Sequence, residues 1–128
     1  MPVELNHTIV AARDKKAAAE FLARILGLTV GPQFGPFLPV ETSNGVTLDF
    51  MDADPGRIAP QHYAFLVSEE EFDAIFGRIV EAGLPYWADP WHQEPGRINH
   101  HDGGRGVYFA DPNDHNLEII TRPYGSGS

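Results

Sequence analysis

Residues 61–68, QHYAFLVS, begin a pattern that the chain has already used once near its N-terminus. His62, Ala64 and Leu66 fall on one face of an extended chain, and the residues between them fall on the other. Ser68 is followed three residues later by Glu71, the spacing of a capping box at the start of a helix. This stretch therefore predicts a strand that passes directly into a helix.

The segment after Ser68 predicts an amphipathic helix that ends at Gly83. Extended runs follow near residues 86–88, 106–109 and 116–121. The order is therefore strand, helix and three strands. The apolar stripe of the helix consists of Phe72, Ile75, Phe76, Ile79 and Val80.

The first half of the chain has the same order. Residues 3–12 alternate as a strand does, and a helix begins at about Asp14 and stops at Gly27. Runs at 28–30, 37–42 and 46–51 follow, the last two joined by a Ser43-Asn44-Gly45 turn. We therefore predict an α+β fold of two βαβββ modules, about 1–54 and about 60–124, whose curved mixed sheets surround a cleft. Residues 1–124 are expected to form a single domain, and residues 125–128 a flexible tail.

Composition excludes several classes of partner. The chain has 18 acidic and 9 basic residues and a formal charge of -9, which disfavours binding to nucleic acid or anionic lipid. No apolar run is long enough to span a bilayer, and we expect no membrane association. Cysteine is absent, which excludes thiolate sites and fits a reducing compartment, so a cytoplasmic location is expected.

Each module places a histidine at the start of its first strand and a carboxylate in its last strand. The pairs are His7 with Asp49 and His62 with Glu118. If the two sheets form one cleft, these side chains converge there. Two imidazoles and one carboxylate suit a divalent transition metal with coordination positions left open for a ligand, although the spacing alone is unspecific.

Residues 111–118, DPNDHNLE, together with the repeated module and its paired histidines, resemble the vicinal oxygen chelate superfamily. That superfamily includes glyoxalase I, extradiol ring-cleaving dioxygenases, fosfomycin-modifying enzymes and bleomycin-binding resistance proteins. The resemblance covers nearly the whole chain and implies that His7, His62 and Glu118 are metal ligands. Asp49 falls where glyoxalase I carries a further glutamate ligand, and it would serve either as a ligand or as a base.

Residues 99–118 also resemble the extradiol dioxygenase signature, in which a histidine and a tyrosine precede the metal glutamate. On this resemblance His101 and Tyr108 join Asp49 as candidate catalytic residues. Asp114 departs from the signature, which has glycine or proline there. These dioxygenases also keep an acid-base histidine in a region where this chain has none between His7 and His62.

The segment 89–105 is long for a loop in a compact domain and contains Trp91, His92, His100 and His101. Loops of this length are commonly functional, so the segment is either a substrate lid or a surface excursion packed by its own tryptophan. His115 is expected to be a turn residue. Four aromatic residues would line an apolar pocket or pack in the core: Trp87, Trp91, Phe34 and Phe37.

The leading hypothesis is a metal-dependent enzyme of the glyoxalase or dioxygenase type that binds a small oxygenated substrate. Its reaction would be ring cleavage, isomerisation or lyase chemistry, with iron, manganese, nickel, cobalt or zinc as the metal. The alternative is an antibiotic-binding resistance protein of the bleomycin-binding type without catalysis, and a weaker alternative is a metal-bound structural or regulatory dimer. The resemblance further implies a homodimer in which His7 of one subunit meets His62 and Glu118 of the other.

Overall fold

The computed structural model describes residues 2–127, and the chain divides between Ala59 and Pro60 into two compact units. Each unit contains one long helix and a three-stranded mixed sheet. The predicted α+β class is therefore confirmed. The polypeptide passes through the same order of elements twice, as the repeated sequence pattern indicates.

In the first unit, strand β1 (His7–Ala12) leads into helix α1 (Lys15–Leu26), followed by strands β2 (Phe37–Glu41) and β3 (Thr47–Asp52). The sheet order is β1-β3-β2, with β1 parallel and β2 antiparallel to the central strand. Alternate residues of the central strand, Leu48 and Phe50, are buried in the apolar core of the unit. A short 3₁₀ turn at Pro55–Arg57 follows β3.

The second unit repeats this arrangement with strand β4 (His62–Leu66), helix α2 (Glu69–Glu81), and strands β5 (Gly106–Ala110) and β6 (Asn116–Ile120). Its sheet order is β4-β6-β5, again with one parallel and one antiparallel pair around the last strand of the unit. The buried apolar residues of the unit come from both the helix and the sheet. They include Phe72, Ile75, Ile79, Val107, Phe109, Leu117 and Ile119.

Both helix starts and the end of α1 confirm the boundaries predicted from capping residues, whereas α2 ends at Glu81, before the predicted Gly83. Asp14 accepts hydrogen bonds from the backbone N–H groups of Lys16 and Ala17, and Ser68 Oγ accepts one from Glu71 N at 3.1 Å. Gly27 ends α1 with φ 75°, a left-handed conformation that costs glycine little because it has no Cβ. Each strand therefore passes into its helix with little intervening chain.

Two predicted strands are not formed as strands. Residues 28–30 contribute only an isolated bridge between Val30 and Val40, and residues 86–88 contribute only the bridges of Trp87 to Pro95 and Tyr108. Both runs lie within a few residues of a helix end, and each forms isolated bridges rather than a ladder. Within residues 2–127, no helix is long and apolar enough to cross a membrane.

Candidate functional site

His62 and Glu118 meet on one face of the second sheet. Strand β4 runs parallel to β6 with Ala64 opposite Glu118, so the side chain of His62 reaches along the sheet to the carboxylate. His62 Nε2 lies 2.9 Å from Glu118 Oε1. The imidazole is 47% exposed, whereas the glutamate side chain is 0% exposed. A buried carboxylate is therefore contacted by a ring that solvent can reach.

The complete burial of Glu118 requires compensation, because removing a carboxylate from water is costly unless it is paired or hydrogen-bonded. Its second oxygen, Oε2, accepts a hydrogen bond from the hydroxyl of Tyr124. The hydroxyl of Tyr108 lies 3.0 Å from that of Tyr124. Glu118 Oε1 thus contacts the His62 imidazole, and Oε2 accepts a hydrogen bond from Tyr124, which in turn contacts Tyr108.

The imidazole and carboxylate fit a divalent transition metal, since both donors are of the kind such ions prefer and His62 lies on the solvent side of the pair. In the part of the chain that the structure describes, no group of three or more His, Asp or Glu side chains is placed to hold a metal ion. The described contact at this site is therefore between two side chains, His62 and Glu118.

His7 and Asp49 lie together in the first unit. They line a cavity of about 310 Å³ with Phe34, Phe37 and Ile9, among others. Asp49 is only 4% exposed, and among the described residues its Oδ1 atom has no hydrogen-bond partner. His7 is exposed, with Nδ1 2.8 Å from Asn6 Oδ1. The cavity thus combines an apolar wall with an accessible imidazole and an unsatisfied carboxylate.

Asp49 and Glu118 occupy equivalent positions in the two sheets. Asp49 lies opposite Ile9, two residues after His7, and Glu118 lies opposite Ala64, two residues after His62. The partner on the antiparallel side differs, since Pro39 lies opposite Asp49 and Tyr108 lies opposite Glu118. The second unit therefore has a phenol where the first has a ring without a hydrogen-bonding group.

Of the candidate catalytic residues, Tyr108 lies beside His62 and Glu118. Its ring centroid is 5.7 Å from that of His62, and its side chain is buried. Burial, and then hydrogen bonding with Tyr124 and Glu118, raises the pKa of Tyr108 well above its ordinary value. Tyr108 therefore keeps its proton throughout the neutral range and acts as a neutral hydroxyl.

His101 lies in a short 3₁₀ turn, His101–Gly103, and is exposed. Its ring meets that of Tyr124 edge to face, with centroids 6.1 Å apart. The adjacent Asp102 accepts hydrogen bonds from Gly125 N and Gly127 N, each at 3.1 Å. His101 thus reaches the neighbourhood of Glu118 through Tyr124 rather than by direct contact.

Residues 89–94 form a tight turn around one carboxylate. Asp89 accepts hydrogen bonds from the backbone N–H groups of Gln93 and Glu94. Burial alone would raise the pKa of Asp89, but hydrogen bonds from the backbone N–H groups of Gln93, Glu94 and Trp91 outweigh it and leave the pKa lowered. The turn holds Trp91 76% exposed. This part of the segment is therefore an ordered turn that presents an indole to solvent.

The same turn is joined to the strand that carries Glu118. The ring of His92 stacks on Trp87 at 3.6 Å between centroids, and its Nε2 lies 3.0 Å from Asn116 Oδ1. Asn116 Nδ2 also donates to the carbonyl oxygen of Pro90. Because Asn116 lies opposite His62 in the sheet, the turn is fixed to the end of the sheet at which His62 lies.

Sequence reasoning missed Tyr124 and Asp102. Tyr124 lies beyond the last strand in a stretch with no periodic pattern, and only its aromatic character distinguishes it from the glycines and serines that follow. His115 does end the predicted turn, but it is also 1% exposed, and its Nδ1 accepts a hydrogen bond from Gln61 N at 2.9 Å. It therefore ties the turn to the start of β4.

Residues 4–119 match the family model of the Glyoxalase/Bleomycin resistance protein/Dioxygenase superfamily. Among curated proteins, the chain is 30% identical over 124 residues to the glutathione transferase FosA of Serratia marcescens, covering 90% of this chain and 78% of that protein. It is 36% identical over 61 residues to the metallothiol transferase FosB of Shouchella clausii, a match that spans only 37% of that protein.

Solved structures agree over a larger part of the chain. The oxidase ChaP-H2 is 73% identical, with a TM-score of 0.97 and complete coverage of both chains. The oxidase ChaP-H1 is 62% identical, with a TM-score of 0.93 over 97% of this chain and 99% of that one. The fosfomycin resistance protein FosX of Listeria monocytogenes, 23% identical with a TM-score of 0.71 over 96% of this chain and 94% of that one, shares the fold.

Proposed function

Because the chain belongs to the glyoxalase/bleomycin resistance protein/dioxygenase superfamily, we propose that it is a divalent-metal-dependent oxidase. Its substrate would be a small molecule with two neighbouring oxygens, and dioxygen would be the oxidant. The observation that carries the proposal is the contact of the fully buried Glu118 carboxylate with the half-exposed His62 imidazole. The high identity to the oxidases ChaP-H2 and ChaP-H1 supports redox chemistry over isomerisation.

In this proposal His62 and Glu118 hold the metal, and His7 is the third protein ligand. Glu118 contributes the negative charge, and its burial keeps that charge close to the ion and away from water. A bound metal would act as a Lewis acid that polarises the two substrate oxygens. Two imidazoles and a carboxylate leave open positions for such a ligand.

Asp49 is proposed as the base that removes a proton from the substrate. Its Oδ1 atom is buried without a hydrogen-bond partner among the described residues, so it can accept a proton from a bound hydroxyl group. Phe34 and Phe37, whose rings are 5.6 Å apart, line the same cavity as Asp49. This apolar wall suits a flat, weakly polar substrate.

Tyr108 remains protonated and serves as a hydrogen-bond donor. His101, which contacts Tyr124 and not Glu118, is a further acid-base candidate.

We also propose that the working form is a homodimer. His7 lies in the first unit and His62 with Glu118 in the second, so the proposed ligands come from both copies of the repeat. In a twofold dimer of this kind, the partner subunit's His7 completes the donor set of His62 and Glu118. Each dimer would then contain two equivalent metal sites.

A second candidate is thiol transfer to a small substrate, including an antibiotic. The match to the glutathione transferase FosA favours it, since it extends over most of both chains. The chain has no cysteine, so the thiol would come from a second substrate.

Drug binding without catalysis is the third candidate, favoured by the net charge of -9 and the exposed Trp91.

The first experiment is elemental analysis of protein purified without chelator, with Glu118→Gln and His62→Ala as test variants. We expect near-stoichiometric divalent metal in the wild type and a loss of metal affinity of more than about 100-fold in both variants, because each removes a direct ligand. His100→Ala removes another exposed imidazole and should leave the metal content unchanged. A wild type that neither retains nor takes up metal contradicts the proposal.

The reaction class is tested by oxygen consumption with catechols, under air and under argon, beside an assay for thiol adducts of fosfomycin with glutathione. Oxidase chemistry predicts oxygen uptake that depends on both substrate and metal. Adduct formation without oxygen uptake would instead support the transferase. Tight drug binding that survives chelation and yields no product would support the third candidate.

A further inference from the structure

The second carboxylate oxygen of Glu118 has a partner that lies outside both strands of the site. Tyr124 is in the segment after β6, and its hydroxyl donates to Glu118 Oε2. We propose that Tyr124 is a positioning residue of the metal site, which holds Glu118 so that Oε1 faces the metal beside His62 Nε2. This inference rests on the proposed function, since it requires Glu118 to be a metal ligand.

The arrangement assigns a different role to each oxygen of Glu118. Oε1 faces His62 Nε2 at 2.9 Å, so the two prospective donor atoms are adjacent. Oε2 is occupied by the Tyr124 hydroxyl, which leaves Oε1 as the oxygen available to an ion. Hydrogen bonds from outer groups to a ligating carboxylate fix its orientation in this way and tune metal affinity.

Tyr108 supports Tyr124 from the adjacent strand. The two hydroxyl groups are 3.0 Å apart, and Tyr108 is itself buried beside His62. A hydroxyl both donates and accepts, so Tyr124 can donate to Glu118 while accepting from Tyr108. The tyrosine pair therefore forms a continuous chain of hydrogen bonds that ends on the carboxylate.

The backbone that carries Tyr124 is held by Asp102. The Asp102 carboxylate accepts hydrogen bonds from Gly125 N and Gly127 N, on the C-terminal side of the tyrosine. Arg122 Nη2 donates to the carbonyl oxygen of Ser126 at 3.3 Å, which closes the same turn. Asp102 thus acts on Glu118 only through Tyr124, without direct contact. This gives a second variant that tests the same role without altering the side chains around the metal.

The test measures the dissociation constant of Co²⁺ by competition with a chromophoric chelator, together with the visible absorption spectrum of the Co²⁺ protein. Tyr124→Phe removes only the hydroxyl. We expect about 10- to 100-fold weaker binding and an altered spectrum, the size of effect known for outer partners of metal ligands. Asp102→Ala should weaken binding in the same direction by a smaller factor. Tyr86→Phe, a hydroxyl deletion outside this chain of hydrogen bonds, should change neither quantity.

The double variant Asp102→Ala/Tyr124→Phe tests whether Asp102 acts on Glu118 through Tyr124. If Asp102 acts through Tyr124, adding Asp102→Ala to Tyr124→Phe weakens binding no further. Unchanged or tighter Co²⁺ binding in Tyr124→Phe overturns the inference, and tighter binding would mean that Tyr124 competes with the ion for Glu118. Failure of the wild type and all variants to bind Co²⁺ overturns the proposed function and this inference with it.

Discussion

Glu118 and Asp49 are buried carboxylates in equivalent strand positions, but their surroundings differ. Glu118 has a partner for each oxygen, whereas Asp49 Oδ1 has none among the described residues. An unsatisfied buried polar atom costs stability and persists where function requires it. At the scale of single residues, this difference agrees with the roles proposed above, fixed ligation for Glu118 and proton acceptance for Asp49.

Asp89 should make stability depend on pH. Its pKa is lowered, so its contribution is fully present above its unfolded pKa, near 3.8, and is lost as the pH falls through the lower folded value. Asp89→Asn removes the negative charge that accepts from Gln93 N and Glu94 N. We expect the variant to be less stable than the wild type at neutral pH, with the difference shrinking below about pH 4.

Urea unfolding between pH 7 and pH 2.5 measures this difference. Asp54→Asn is the matched control, because Asp54 makes no side-chain capping hydrogen bond, and its stability should follow that of the wild type at every pH. A stability gap for Asp89→Asn that stays constant across the range would show that the carboxylate charge does not hold the turn.

Individual site residues could be predicted only where the repeat or a signature marked them. His7, His62, Asp49 and Glu118 stand at matching places in two copies of one pattern, so each supported the interpretation of the other. Tyr124 has no counterpart in the first unit and follows the last strand. Its contact with Glu118 depends on how the chain turns after β6, which no local pattern specifies.

At the scale of elements, the turn between β5 and β6 contains a departure from the dioxygenase signature. Asp114 stands where that signature has glycine or proline, and its φ is 65°. Glycine adopts this conformation readily, whereas proline is fixed near −65°. We expect Asp114→Gly to change the free energy of unfolding by no more than about 1 kcal/mol and Asp114→Pro to lower it by about 3 kcal/mol or more.

Thermal and urea unfolding of the two variants test this expectation. Proline also removes the Asp114 N–H, which donates to the carbonyl oxygen of Asp111 at 3.1 Å. Pro112→Ala, in the same turn, serves as a control for general sensitivity of this hairpin. Equal stability of the glycine and proline variants would mean that the left-handed backbone is not required there.

Elements with strong end signals were predicted well. Both helices begin at the residues that cap them, because a side-chain oxygen that satisfies the first N–H groups is a local feature of the sequence. The prediction of strands at residues 28–30 and 86–88 was wrong, because these residues form only isolated bridges. A strand exists only through its partner, and short apolar runs of this kind do not identify one.

At the scale of the whole molecule, the proposed ligands are divided between the two units, which allows a test of which subunit supplies each ligand. In a dimer whose sites each take the partner subunit's His7, a mixed dimer of His7→Ala and Glu118→Gln chains has one intact site, because one chain supplies His7 and the other supplies His62 and Glu118. Each variant alone has none. We expect metal binding and activity to return when differently tagged variants are co-expressed and the mixed dimer is isolated.

The control is a mixture of His62→Ala with Glu118→Gln. Those two residues lie in the same unit, 2.9 Å apart, so mixing these variants should restore nothing. Recovery in neither mixture would indicate that the donors of each site come from one chain, and a monomeric wild type by size-exclusion chromatography with light scattering would exclude the shared site directly.

The matched positions of Asp49 and Glu118 also have a consequence for how this chain can change. Aspartate and glutamate codons differ only in the third base, so a single point mutation can exchange them at either position. The duplicated module thus has two equivalent positions, 49 and 118. At either one, a point mutation can lengthen or shorten the acidic side chain by one methylene group. Under the roles proposed above, such an exchange at position 49 would bring the carboxylate closer to a bound metal, and one at position 118 would withdraw it.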